Sequence, residues 1–383
     1  MTGRIIQFGT SRFLQAHADL FVHEARQAGQ QVGPITVVQT SGAIERVGRV
    51  AAFSQPQGFP VIICGIEDGE KIERHVDVLS VDQGLSASRD WEELSALFAT
   101  EADVIFSNTG DQGYELVPSD RGDALLSGSV PVSFPGKLTA LLHRRWRDGA
   151  RPLTFLPCEL ITGNGRLLSS IVLNLARGSA APSAFAQWIE GEVKFGNTLV
   201  DRIVSQPIEP IGAIAEPYAL WVIERRQGLC APCEHPAIVL ANDLEPYERL
   251  KLHILNLGHT VLADIWLSEC RDPNETVRAI LADGGVVGRL DDIYRREVLP
   301  GFVAHGRGEE ARTYIATTLD RFLNPFLDHR LVDIAHNHTN KIERRIGAFL
   351  VWAAEAARGS AMPLLEAIVA GGGGHEAVGR SSA

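Results

Sequence analysis

Arg4-Ile-Ile-Gln-Phe8-Gly9-Thr10-Ser11-Arg12-Phe13, at the head of the chain, reads as a buried strand, a tight turn and the start of a helix. Residues 4–8 are a short apolar run that stops at Gly9, and Phe13, Leu14, Leu20, Phe21 and Ala25 then recur at helical spacing through 12–28. A dinucleotide-binding fold places its phosphate loop at such a junction, where helix N–H groups and the helix dipole favour pyrophosphate. The glycine-rich fingerprint is incomplete, because Ser11 holds the second glycine position and Leu14 the third. On pattern alone, phosphate loop and ordinary strand-to-helix turn both remain open.

Beyond this junction, β runs follow at 35–39, 60–64, 103–106 and 153–157, with helical patterns at 137–146 and 166–177. This alternation predicts a largely parallel sheet covered by helices, with ligands beyond the C-terminal strand ends. Two loops end there. Gln39-Thr40-Ser41 lacks the carboxylate that usually meets the ribose 2′-hydroxyl, which leaves NAD and NADP both open. Asn108-Thr109-Gly110-Asp111 is a second candidate cofactor loop. From about residue 243 the pattern turns helical, at 246–269, 275–283, 288–297, 309–322 and 340–357. The expected fold is an α/β dinucleotide-binding domain over 1–240 followed by a mostly α-helical substrate and catalytic domain over 241–383. Gly371-Gly-Gly-Gly374 reads as a flexible tail.

The chain has 383 residues, 45% of them apolar and a formal charge of −11, which suits two cores and argues against nucleic acid or an anionic membrane as partner. A small molecule is the expected partner. No signal-peptide layout or membrane-length apolar run is visible, so a cytoplasmic location is expected. The five cysteines fit reduced thiols; Cys230-Ala-Pro-Cys233 has metal or redox spacing but lacks a second pair, so no metal is expected.

Lys251-Leu-His-Ile-Leu-Asn256-Leu-Gly-His259 places three polar groups in an otherwise apolar helical run. At about 100° per residue, Asn256 lies about 140° and His259 about 80° from Lys251, so the three share one broad sector of a helix expected to be buried nearly all round. Burial disfavours an ammonium and moves its proton affinity toward the range a base acting on an alcohol needs. Asn256 and His259, three residues apart, suit donation to one substrate oxygen. The alternative is a helix end whose lysine reaches solvent and whose histidine is a satisfied core residue.

The pieces Ile6-Gln-Phe-Gly9 with Phe13, Ser107-Asn-Thr109, Ser133-Phe-Pro-Gly-Lys-Leu138, Leu156-Pro-Cys-Glu-Leu160 with Asn164-Gly165, and Asn197-Thr-Leu-Val-Asp-Arg-Ile203 occur in order. Glu216-Pro217 with Trp221, the Lys251 helix, and Asn324-Pro-Phe326 with Lys341 complete the series. With these the chain resembles, over nearly its whole length, the mannitol dehydrogenase family of polyol-specific long-chain dehydrogenases, and within it the tagaturonate and fructuronate reductases. The resemblance implies a Rossmann-like first domain and metal-independent, NAD-dependent interconversion of a keto-sugar acid and its aldonate by a monomer. Lys251 is then general acid and base, Asn256 and His259 orient the reacting oxygen, and Asn197 adds a hydrogen bond. Phe8, Gly9, Thr10, Ser11, Arg12, Phe13, Gln39, Asn108, Thr109 and Asp111 are the implied cofactor-binding residues. Glu216 and Trp221 either line the pocket or pack the domains together, and Asp201-Arg202 on its own reads as a surface ion pair. A substrate carboxylate would want a cation, for which Arg330, Lys341, Arg344 and Arg345 are available. Two alternatives are a polyol dehydrogenase acting on an uncharged sugar alcohol and a nucleotide-binding regulator without catalysis.

Overall fold

Strand β1 (Arg4–Phe8) is buried along nearly its whole length, as a strand covered on both faces must be. The computed structural model describes residues 3–41, 47–67, 69–110, 113–327, 329–356 and 361–371. After β1 come α1 (Arg12–Leu14), a π turn at Gln15–Asp19, α2 (Leu20–Gln27), β2 (Ile35–Gln39) and α3 (Val47–Ala52). They are followed by β3 (Phe59–Glu67), β4 (Glu70–Val78), β5 (Val81–Ser86), α4 (Trp91–Thr100) and β6 (Ala102–Ser107). Next are α5 (Phe134–Arg147), β7 (Leu153–Pro157), α6 (Asn164–Arg177), α7 (Ser183–Glu192) and β8 (Val193–Phe195).

Six strands form one sheet in the order β5-β2-β1-β6-β7-β8, with every adjacent pair parallel. Counted within the sheet this is the 3-2-1-4-5-6 order of a dinucleotide-binding fold, and the direction of winding reverses between β1 and β6. The core beside it gathers Phe8, Phe98, Leu138, Phe155, Leu168 and Phe185 from strands and covering helices. At the opposite end of the strands, Arg145 of α5 is fully buried and donates to the carbonyls of Phe98, Ala99, Ala102, Arg151 and Pro152 at 2.5–3.4 Å. Burial lowers its pKa to about 10. A planar fork saturated with carbonyls ties α4, α5, β6 and β7 together without an acid.

Four short strands, β9 (Thr198–Asp201), β10 (Val204–Pro207), β11 (Ala213–Ala215) and β12 (Leu220–Glu224), and then β13 (Ile238–Ala241), complete the first half. They build the smaller sheets β10-β11-β3-β4 and β13-β12-β9, none of which the helix-strand alternation anticipated.

The second half is helical: α8 (Glu245–Leu250), α9 (Leu257–Ser268), α10 (Val277–Ile280), α11 (Gly284–Ile293) and α12 (Leu299–Ala304). Then come α13 (Gly308–Phe322), α14 (Leu331–Ile334), α15 (His338–Ile342), α16 (Ala348–Ala356) and α17 (Pro363–Gly371). π turns at Lys251–Asn256, Tyr294–Val298 and Glu343–Gly347 join α8 to α9, α11 to α12 and α15 to α16. Gly371 closes α17, whereas the rest of the expected glycine tail lies outside the described residues.

By its contacts the chain falls into two units, Met1–Ile63 with Arg74–Leu244, and Cys64–Glu73 with Glu245–Ala383. Within the second unit Asn324 Nδ2 donates to Cys64 O at 3.1 Å, which anchors the end of β3 to the helices. No described helix is long and apolar enough to cross a membrane.

Candidate active site

Where β1 ends, Gly9 takes φ +111°, a conformation that side chains resist, and a Cβ built there would stand 2.3 Å from Asn108 O. The loops after β1 and β6 therefore run backbone against backbone, joined by Asn108 N donating to Phe8 O at 2.9 Å. Ser11 caps the following helix by accepting from Leu14 N at 3.4 Å. The first N–H groups of a helix have no acceptor within it, so this end suits an anion. A cleft of about 500 Å³ opens here, lined by Gly9, Thr10, Ser11, Arg12, Gln39, Thr40, Ser41, Arg49, Asn108, Thr109, Gly110, Pro207 and Glu209.

Of the expected cofactor residues, Gly9, Thr10, Ser11, Arg12, Gln39, Asn108 and Thr109 line this cleft. Phe8 and Phe13 are not among its lining: Phe8 is fully buried with its ring 5.3 Å from that of Phe134, and Phe13 stacks on His17 at 4.7 Å. Side chains on the strand point into its covered faces, so Phe8 contributes through its carbonyl alone. Asp111 lies outside the described residues. Thr10 O, inside the loop, accepts from Gln15 Nε2 at 3.3 Å and from Arg49 Nη2 at 3.2 Å. Arg49 was missed in sequence because it follows β2 in a stretch without strong periodicity.

Glu159 was quoted only as part of a motif, yet it organises the second loop. Buried just past β7, it accepts from Ser107 Oγ at 3.0 Å, Thr109 N and Oγ1 at 2.9 Å each, and Tyr114 Oη at 3.2 Å. Asn108 Nδ2 adds a bond to Cys158 O at 2.9 Å. The signal available in sequence was a carboxylate directly after an apolar strand, a position costly to occupy without donors.

Asn197 is buried, with Oδ1 accepting from Arg166 N at 2.9 Å at the start of α6 and Nδ2 donating to Glu224 Oε2 at 2.6 Å. That bond uses one of the amide's two N–H donors. Asp201 and Arg202 are no surface pair: both are buried, and Arg202 donates to Glu216 O and Ala16 O. Asp201 ends β9, and Arg202 next to it reaches the carbonyl of Ala16 in the π turn after α1, which holds the pair inside. Glu216 is fully buried with Oε1 on Ile203 N at 2.6 Å, and Trp221 is enclosed beside Phe106 and His17, so both are interior to the first unit.

Lys251, Asn256 and His259 lie on one continuous helical run, but the turn from Lys251 to Asn256 is π, with i→i+5 bonding, so the angle computed for an α-helix does not carry from 251 to 256. The cause is visible. Tyr294 Oη donates to Ile254 O at 2.9 Å, and Asn256 O accepts from Thr260 Oγ1 at 2.9 Å and Arg345 Nη1 at 3.3 Å. Tyr294 and Arg345 thus set outside donors on carbonyls where the ladder widens, whereas the Thr260 bond is the i−4 bond that Thr100 also makes in α4. Gly258 makes room: a Cβ there would stand 2.0 Å from Tyr294 Oη. Burial is also less even than expected, with Lys251, Leu252 and Asn256 half-buried and His253 to Leu255 and Leu257 to Leu262 enclosed.

His259 is 6% exposed, and its Nε2 is buried without a partner among the described residues. Burial first, then His329, Arg321, Arg345 and Lys341, hold its pKa well below the usual value, so the ring is neutral near pH 7. A neutral, oriented imidazole can donate to or accept from a substrate oxygen. Of the four cations available for a carboxylate, Lys341 and Arg345 act electrostatically on His259, together with Arg321, which sequence reasoning did not single out. Arg330 instead donates to Asn274 Oδ1 at 3.0 Å.

Cys233 is buried, with its thiol pKa pushed up to about 12 by burial, while Cys230 is exposed and His235 Nε2 lies 2.9 Å from Glu24 Oε2. Among the described residues no group of three His, Cys, Asp or Glu could hold a metal ion.

Residues 3–231 match the model of the mannitol dehydrogenase Rossmann domain, and 243–374 that of the mannitol dehydrogenase C-terminal domain. An altronate oxidoreductase of Halalkalibacterium halodurans is 31% identical over 369 residues, covering 90% of this chain and 69% of that one. A second altronate oxidoreductase, from Bacillus subtilis, is 31% identical over 367 residues, covering 89% of this chain and 73% of its own length. In fold the chain is similar to D-sorbitol dehydrogenase in substrate-free form, with TM-score 0.76 and 20% identity over 92% of this chain and 76% of that one. It is likewise similar to Pseudomonas fluorescens mannitol 2-dehydrogenase, solved with NAD and D-mannitol, with TM-score 0.71 and 20% identity over 94% of this chain and 80% of that one. Both halves of the chain thus match in their expected order, and the protein belongs to the mannitol dehydrogenase family.

Proposed function

We propose that this member of the mannitol dehydrogenase family, an NAD-dependent oxidoreductase of the polyol and aldonate class, interconverts a keto-sugar acid and its aldonate, of the tagaturonate and altronate kind. The observation that carries this reading is the similarity to altronate oxidoreductases across about nine-tenths of the chain, which includes the Lys251 helix. Residues 1–240 hold the cofactor and 241–383 supply the acid–base chemistry. The enzyme acts in the cytoplasm as a monomer on a small sugar acid, and needs no metal.

Gly9 to Arg12, Gln39, Asn108 and Thr109 are the residues that would hold the dinucleotide, and the helix N-terminus after Gly9 would meet its pyrophosphate. The bound nicotinamide supplies or accepts the hydride. In the oxidative direction Lys251 takes the proton of the hydroxyl that becomes a carbonyl; in reduction its ammonium returns a proton to the new alkoxide. Neutral His259 and the amide of Asn256 direct hydrogen bonds at that oxygen, and Asn197 adds one more. His259 suits this role because its depressed pKa makes the ring both neutral and a weak base, which leaves Lys251 to take and return the proton.

The test is NADH oxidation by the purified protein with tagaturonate, fructuronate and fructose, chelator present. Turnover of a uronate in preference to fructose is expected. Turnover of fructose alone would make the chain a polyol dehydrogenase, and loss of activity on chelation would overturn metal independence.

A further inference from the structure

Strand β2 delivers Gln39 to the rim of the cofactor cleft, and the next two residues, Thr40 and Ser41, line it. Folds that bind NAD place a carboxylate here to accept from the ribose diol, whereas those that take NADP set a cation near the 2′-phosphate. This chain offers two hydroxyls and no carboxylate at the strand end. Gln39 Nε2 donates to Ser41 O at 2.9 Å and to Ser41 Oγ at 3.4 Å, which leaves the serine O–H proton to donate elsewhere.

Arg49, on α3, lines the same cleft. Its Nη2 donates to Thr10 O at 3.2 Å, which fixes the guanidinium against the phosphate loop through a neutral partner. Its Nε is buried and has no partner among the described residues. A buried idle donor on a permanent cation is expensive unless a ligand meets it. The ligand with the matching chemistry is an anion able to accept from a planar fork.

We propose that Arg49, with the hydroxyls of Thr40 and Ser41, forms a site for a phosphate on the 2′-oxygen of the adenosine ribose, so that this chain takes NADP(H) beside NAD(H). Arg12, in the same lining, adds a second positive charge. Glu209 lines the cleft too and is exposed; it opposes a phosphate and is the competing partner for an unmodified ribose diol. The site is independent of which sugar is reduced.

The test is calorimetric titration of the full chain with adenosine 2′,5′-bisphosphate and with adenosine 5′-monophosphate, which differ only in the 2′-phosphate. The bisphosphate should bind about tenfold or more tightly than the monophosphate, as a charge-assisted fork-to-phosphate contact gives. Arg49→Gln should erase that advantage by weakening the bisphosphate about tenfold more than the monophosphate, and Glu209→Gln should widen it. Arg49→Lys, which keeps the charge without the fork, should retain part of it and carries the test if the glutamine variant does not fold. Equal affinities in the unaltered chain, or a preference for the monophosphate that Glu209→Gln weakens, would overturn the proposal. So would an Arg49→Gln variant that loses both ligands alike, since Arg49 would then be a staple of the loop.

Discussion

At the ends of β1 and β6 the groups available to a cofactor are held by backbone packed on backbone, with Gly9 under Asn108 and Glu159 gathering Ser107, Thr109 and Tyr114. In the Lys251–His259 helix the groups available to a substrate are side chains, and their directions depend on a π turn whose carbonyls take donors from Tyr294 and Arg345. The first region spends its polar atoms on fixing a loop shape. The second leaves an imidazole nitrogen buried and idle. A loop fixed by bonds within itself binds by shape, by its helix end and by the idle Nε of Arg49 beside it, whereas a helix with an idle buried ring nitrogen is built to meet a ligand atom.

This contrast predicts separable defects. Lys251→Ala should lower kcat by about 10²- to 10⁴-fold, the range for loss of a general acid–base group, with NADH affinity within about twofold. Steady-state rates paired with NADH fluorescence titration check it. If cofactor binding or folding fails instead, Lys251 is structural and the contrast breaks.

Gly258→Ala comes next. Its Cβ would meet Tyr294 Oη at 2.0 Å, so either the hydroxyl leaves Ile254 O or the helix shifts, at a cost of about 1–3 kcal/mol. Thermal unfolding measures the loss. Tyr294→Phe in the same chain should recover part of it by removing the clashing oxygen, while kcat stays low if the widened turn is what aims Asn256. Recovery of kcat along with stability would show that the π turn has no part in aiming.

A smaller effect belongs to the cofactor side. Glu159→Gln replaces a four-donor acceptor by an amide whose NH2 faces donors, and should raise the NADH dissociation constant about tenfold. Its kcat at saturating NADH should hold. A fall in kcat with unchanged NADH affinity would mean that Glu159 acts on the chemistry.

The sheet was legible because parallel strands buried on both faces read as unbroken apolar runs, as in Ile35–Gln39 and Leu153–Pro157. The helical half was legible in periodicity, with α13 falling where 309–322 predicted it. The small sheets were not, because β9 to β13 are three to five residues long and carry too few residues to show a period. The π turn was invisible for a different reason: it is made by Tyr294 and Arg345, about 40 and 90 residues away, and only Gly258 betrays it locally. Arg49 and Glu159 show the same limit, since each earns its place through a partner distant in sequence.

The mildest expected effect is a pH dependence that belongs to the helix and not to the loops. His253 has its pKa lowered to about 4, by burial first, with Arg249 adding to the shift and a bond to Arg345 O at 3.1 Å opposing it; His259 is lowered as well. Because folding favours the neutral ring, the stability each histidine contributes is complete above the unfolded value of about 6.5 and is lost as pH falls toward the folded value. His253 should make unfolding easier by roughly 1 kcal/mol per pH unit between about 6.5 and 4.5, and His259 acts in the same direction. Urea unfolding at pH 7, 6 and 5 would read the slope, and His253→Phe, which keeps the ring beside Trp352 but cannot take a proton, should flatten it by about one proton's worth. An unchanged slope in that variant would mean that the ring is protonated in the folded helix, and that burial around Lys251 is looser than the packing implies.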